Sequence, residues 1–263
     1  MSLRRAVVAE FIGTAMLLAT VVGSGIMGER LSGGNVAIAL LANTLATGAA
    51  LIALIATFGP ASGAHFNPLV TFTEVAMGRC GWKKAWLYLV AQVMGGIAGV
   101  MAAHYMFELP LLMASAHVRT GPHQWWSEVV ASFGLLTIIL NVAKTRPDFV
   151  PVAVGSYITA AYWFTVSTSF ANPAVTIARA LTDTFSGIRP SDVPGFIASQ
   201  AAGAIAAFAL FRWSNKPEPA IASLLTLPPP TPTVPPMADA IPNHATFDPE
   251  NGDMIVNARG TRG

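Results

Sequence analysis

The chain has 263 residues, of which 53% are hydrophobic and 11% charged, with a formal net charge of +2. A soluble domain usually carries roughly a quarter charged residues, so the composition excludes an ordinary water-soluble fold, and so small a charge gives no footprint for nucleic acid. One cysteine, Cys80, excludes a disulfide framework and a cysteine-built metal site, and the five histidines lack a ligand spacing, so no metal and no cofactor are expected.

Six stretches approach the ~20 apolar residues that a helix needs to cross a bilayer. The first runs from Ala6 to Met27 and contains Glu10. Arg4 and Arg5 ahead of it suit a signal peptide, but its length, its acidic residue and the lack of an Ala-x-Ala pattern favour a retained helix. The second runs from Val36 to Phe58, and SGAHFNPLVTF follows it, opening a segment from Asn67 to Met77 that is too short to span. The third, Ala85 to Phe107, carries Gln92, Gly95 and Gly96. The fourth, Trp126 to Val142, contains Glu128 and opens on Trp125 and Trp126, residues suited to an interfacial aromatic belt. The fifth, Phe149 to Phe170, leads into SFANPAVTIA and a second short segment from Asn172 to Thr184. The sixth, Val193 to Trp213, carries Gln200 and Gly203.

From Ser214 the character changes, with ten of the 19 prolines in the last 50 residues, including PPPTPTVPP from Pro228. Proline removes backbone donors and blocks helix, so residues 214–263 read as a disordered or polyproline-like tail, either simply solvated or a weak ligand for a proline-binding partner. Arg4, Arg5, Arg79, Lys83, Lys84, Lys144, Arg146, Arg212 and Lys216 fall on the side shared by both termini, against Arg30, Arg119, Arg179 and Arg189 on the other. Basic residues collect on the cytoplasmic side, which places both ends in the cytoplasm and the chain, as a multi-pass protein, in the inner (plasma) membrane.

NPLVT begins at Asn67 and NPAVT at Asn172, 105 residues apart. Glu10 and Glu128 come into register with them, as do Gln92 and Gln200. The chain is thus two copies, about 5–107 and 125–213, of three spans plus one Asn-Pro segment. Three is odd, so the second copy enters the membrane from the opposite face, and such inverted repeats place their site near the midplane. Asn is a strong N-cap and Pro is favoured at the first helical position, so each pair should open a re-entrant half-helix. Two such helices meeting nose to nose aim two positive dipole ends and two amides at one spot, which offers donors to a neutral oxygen and repels a cation. The plainer alternative is that each pair merely caps a buried helix.

These segments resemble the paired boxes of the aquaporin and aquaglyceroporin (major intrinsic protein) family, and AEFIGT around Glu10 resembles its first-helix signature. The resemblance covers about residues 5–213. It implies an all-α integral membrane fold of six transmembrane helices and two half-helices, a channel domain over 1–213, and a homotetramer with one pore in each subunit. Asn67 and Asn172 would be the midplane donors, with Pro68, Leu69, Pro173 and Ala174 completing the boxes. Leu69 departs from the family's Ala, either as a packing change or as a narrowing of the inner mouth. His65 would line that mouth or pack its loop, and Glu10 and Glu128 would brace the re-entrant loops rather than relay protons.

The family's second constriction, counted without gaps from the boxes, falls on Thr47, Ala160, Ser169 and Val175. Water-selective members place a bulky aromatic, a histidine and an arginine among these positions, and none is present here. Val175 stands where the family nearly always has arginine, so the ring should be wider and less positive. Arg179, four residues on, either hangs in the outer vestibule or pairs with Asp183. The expected function is a passive channel for small uncharged solutes, glycerol-like polyols and arsenous acid, with some water. ITAAYWFTVSTSFANPAVTIARALTDTFSGI is similar to bacterial aquaglyceroporins linked to arsenite permeation. A water-selective aquaporin and a proton-coupled transporter are the alternatives. The spans contain no nucleophile-and-base constellation, so no enzyme is expected.

Overall fold

The computed structural model describes residues 2–216, 245–247, 250–251 and 254–256. Residues 1–216 form one unit, built from α1 (Leu3–Leu31), α2 (Val36–Ser62), α3 (Pro68–Ala76), α4 (Trp82–Met106), α5 (Pro122–Thr145), α6 (Val150–Phe164), α7 (Pro173–Arg179) and α8 (Val193–Ser214). α6 and α8 are each entered through a three-residue 3₁₀ turn, Pro147–Phe149 and Pro190–Asp192.

Five of these helices, α1, α2, α4, α5 and α8, are long and apolar enough to cross a membrane. The expected fifth span is shorter than its apolar stretch, because α6 stops at Phe164. Thr165 turns to extended backbone, and Thr168, Ser169 and Ala171 take positive φ of 59°, 50° and 47°, which a helix cannot hold. With its leading turn the helical run is about 28 Å long at ~1.5 and ~2.0 Å per residue, close to the ~30 Å hydrocarbon core. The second short segment likewise ends as a helix at Arg179 rather than at Thr184.

Helix pairing follows small residues. α1 packs on α4 and α2, α5 on α8, and α2 on α6. At Gly95 and Gly99 of α4 an added Cβ would lie 2.4 and 2.1 Å from the carbonyl oxygens of Phe11 and Ala15 of α1; at Gly203 of α8 it would lie 2.3 Å from that of Val129 of α5. Glycine lets two membrane helices approach to backbone contact, where dispersion rather than hydrophobic exclusion holds them. Outward side chains such as Met16, Ile38, Leu45, Val90, Met94 and Ile205 stay exposed and apolar, as a lipid-facing surface requires. The chain is a multi-pass membrane protein.

Residues 217–263 form a separate unit. Its described part includes a short antiparallel pair, β1 (Ala245–Phe247) and β2 (Met254–Val256), with Thr246 opposite Ile255. The expectation of an unstructured tail therefore does not extend to these strands. The proline-rich stretch from Pro228 lies outside the described residues.

Candidate functional site

Asn67 and Asn172 are the N-caps of α3 and α7, both in extended backbone, with Pro68 and Pro173 at the first helical positions. The cap fixes each amide. Asn67 Oδ1 accepts from the Leu69 N–H at 2.9 Å, and Asn172 Oδ1 from those of Ala174 and Val175 at 2.9 and 3.3 Å. The amide nitrogens must then point away from their own helices. Each crosses to the opposite loop, Asn67 Nδ2 donating to the Ala171 carbonyl and Asn172 Nδ2 to the Phe66 carbonyl, both at 2.8 Å. An amide nitrogen has two hydrogens, so one donor per asparagine is left for the cavity that both residues line.

The loops that reach the boxes are strained. Ala64 and Phe66 in the first copy, and Ser169 and Ala171 in the second, hold φ of 47° to 50°. Left-handed backbone in a residue with a Cβ costs about 1–3 kcal/mol, and the two buried glutamates offset that cost. Glu10 accepts from Ser62 Oγ at 2.6 Å, His65 N at 2.9 Å, Phe66 N at 2.7 Å and Gln92 Nε2 at 2.8 Å. Glu128 accepts from Phe170 N and Ala171 N at 2.9 Å and Gln200 Nε2 at 2.6 Å. The same glutamines donate to Thr71 and Thr176 inside the half-helices at 3.0 and 2.9 Å. With every carboxylate oxygen committed to loop or helix donors, the geometry is that of a brace.

The cavity between the boxes and the far mouth measures about 100 Å³, against the ~10–15 Å³ that a single water needs by the same measure. His65 lines one end. Thr47, Ser169, Val175 and Arg179 line the region beyond the asparagines, while Leu17, Val21, Leu51, Val154 and Ile158 make an apolar wall. Ala160 is not among the lining residues. It is exposed, because Ile158 and Tyr162, four apart on α6, turn the other face of that helix to the cavity. The position assigned to Ala160 by counting is therefore corrected: Tyr162 supplies an aromatic, and its hydroxyl donates to Thr47 Oγ1 at 3.4 Å.

Arg179 is buried, 2% exposed, and lines the cavity. Its Cζ stands 3.4 Å from the centre of the Phe170 ring, and its Nε donates to the Ser186 carbonyl. It does not pair with Asp183, whose Oδ1 accepts from the Ala116 N–H at 2.9 Å. Arg119, unremarked in the sequence beyond its side of the membrane, sits over the same ring at 5.2 Å and donates to the carbonyls of Gly187 and Ser167. Burial pulls the Arg119 guanidinium down to about 10, with Glu128 acting in the opposite sense, so it stays charged at neutral pH. Phe170 was legible only as a residue before the box, and nothing in the spacing marks it as a platform for two cations.

Paired half-helices meeting at a cavity inside a bundle of membrane helices define a channel-type membrane protein. The family model described as Major intrinsic protein matches residues 1–165. Aquaglyceroporin AqpS of Rhizobium meliloti (strain 1021) is 54% identical over 215 residues, 82% of this chain and 92% of that protein. Aquaporin NIP6-1 of Arabidopsis thaliana is 32% identical over 160 residues, 59% of this chain and 51% of the plant protein. Among solved structures, the aquaglyceroporin from Plasmodium falciparum has a TM-score of 0.65 at 19% identity, covering 85% of this chain and 100% of that one, a likeness of fold. The chain belongs to the major intrinsic protein family.

Proposed function

We propose that this protein is a passive channel for small uncharged solutes, glycerol-like polyols and arsenous acid, with water able to follow. The observation that carries the reading is Val175. It lines the cavity directly after the second box, and it puts an apolar isopropyl group where an arginine would fill the bore and donate hydrogen bonds. The two-sided lining supports it as well. Carbon-rich or trihydroxy solutes can turn their hydroxyls to Asn67, Asn172 and Ser169 and their apolar side to Leu17, Val21, Leu51 and Ile158. The name of the Rhizobium relative, an aquaglyceroporin, points the same way. In this reading four copies assemble in the inner membrane, with both termini cytoplasmic, the His65 end of the cavity inward and the Val175 end outward.

Purified full-length protein in lipid vesicles tests the proposal. Glycerol and arsenous acid should enter faster than into protein-free vesicles, and a protonophore should leave both rates unchanged. Water flow with neither solute following it would sink the reading, and solute flow abolished by the protonophore would make the protein a coupled transporter.

A further inference from the structure

Arg179 combines three properties. It is buried, it lines the cavity, and it has no carboxylate partner: the ion pairs among the described residues are Arg79–Glu74 and Arg189–Asp192. Burying a charge is costly unless hydrogen bonds or an aromatic face compensate it. Here the compensation is Phe170 at 3.4 Å and a single hydrogen bond from Nε to the Ser186 carbonyl, which leaves both terminal nitrogens of the guanidinium without a partner among the described residues. A second observation points to a ligand at the same place. Ser169, 3% exposed, lines the same cavity, and its Oγ has no hydrogen-bond partner among the described residues.

We propose that Arg179 is a specificity-determining residue of this pore: carried one helical turn beyond Val175 and held on Phe170, its guanidinium is both the cation barrier of the Val175 mouth and, with Ser169 Oγ, the donor that a passing solute's hydroxyl meets. The division of labour is geometric. An arginine at position 175 would project from the first turn of α7 into the cavity that Thr47 also lines. At position 179 the charge reaches the cavity from the helix's last turn, is stacked on a ring of the wall, and leaves the bore at Val175 free for a bulkier solute. Arg119, on the same ring at 5.2 Å and held by backbone carbonyls rather than by an ion pair among the described residues, adds a second positive charge there. The Arg179 guanidinium, with Arg119 on the same ring, repels an entering cation at short range, while a neutral hydroxyl is attracted to the free N–H groups of Arg179.

The inference rests on the solute-channel reading, which glycerol flux through the wild-type protein tests by itself. In the same vesicles, the ratio of proton to glycerol permeability tests Arg179. Arg179→Gln should raise that ratio by about tenfold, equivalent to ~1.4 kcal/mol of lost barrier. Arg179→Lys, which keeps the charge, should stay well below Arg179→Gln, and Val175→Arg/Arg179→Gln should bring the proton permeability itself back down while also cutting glycerol flux. A ratio in Arg179→Gln equal to wild type overturns the proposal, as does a rise in Arg179→Lys as large as in Arg179→Gln. If Arg179→Gln fails to assemble, Phe170→Leu decides: a guanidinium released from its platform into the bore should cut glycerol flux, and undiminished flux overturns the proposal.

Discussion

At one end of the cavity the His65 ring meets Tyr88 edge to face at 5.2 Å; at the other, 105 residues on, the Phe170 ring meets Phe196 edge to face at 5.1 Å. The two halves share this frame and use it differently. His65 Nδ1 bonds Thr71 Oγ1 at 3.0 Å, so its ring is tied into the first half-helix, and Lys84 sits over Tyr88 at 4.9 Å. Phe170 has no polar atom to give, and its face instead holds Arg179 and Arg119. The same offset relates Glu74 to Arg179. Glu74 pairs with Arg79 at a partly exposed surface, whereas Arg179 is buried on a ring without a carboxylate. Residues that build the fold (a glutamate, a glutamine, a threonine, an Asn-Pro pair) occur in both halves in the same geometry, and the residues at the two ends of the cavity, His65 and Phe170 with Arg179, do not. An inverted repeat therefore fixes a midplane site while leaving each mouth free to set its own selectivity.

The largest effects should come from the shared braces. Glu10→Gln and Glu128→Gln each turn one carboxylate oxygen into a donor facing donors, at a cost on the order of 3 kcal/mol or more given ~1.5–3 for each bond to a charged group. Glu10 holds four donors and Glu128 three, so thermal unfolding of the purified variants should put Glu10→Gln below Glu128→Gln. The reverse order would mean that the number of donors held does not set the strength of each brace. Gly13 comes next. A Cβ there would lie 2.0 Å from the Phe66 ring, while the equivalent residue after Glu128 is Ala131, in the half whose loop carries the small Ala171. Gly13→Ala should cost about 1–3 kcal/mol through overpacking, and Ala131→Gly only about 1 kcal/mol of helix propensity. Both shifts are readable in the same unfolding assay. His65→Phe, which makes the first mouth resemble the second, should cost least, about 1 kcal/mol for the lost bond to Thr71; a much larger loss would give His65 a role beyond its loop.

The boxes, the glutamates and the alternation of spans were legible because a polar residue in an apolar stretch is rare and these occur twice. The position on α6 was not. A helix apolar on nearly every side carries no periodicity to mark its cavity face, so counting from Asn172 through eight residues of irregular backbone landed on Ala160 instead of the Ile158 and Tyr162 face. Arg179 was visible as a candidate, but its partner was not. The residue that holds it lies nine positions earlier in the chain, between the left-handed Ser169 and Ala171, and only the fold brings the two together. The end of α6 at Phe164 was hidden for a related reason: the six residues after it are apolar or hydroxylated, and four of them, Thr165, Ser167, Ser169 and Phe170, are buried in protein, where non-helical backbone is tolerated.

Whether Val175 opens this pore to solutes is read by comparing two proteins side by side. Stopped-flow light scattering on one vesicle preparation, with wild-type protein and with Val175→Arg, gives glycerol and water permeability side by side. Glycerol should permeate the wild type and fall by about tenfold or more in Val175→Arg, ~1.4 kcal/mol of added barrier, with water reduced far less. Equal glycerol permeability in the two proteins would contradict it.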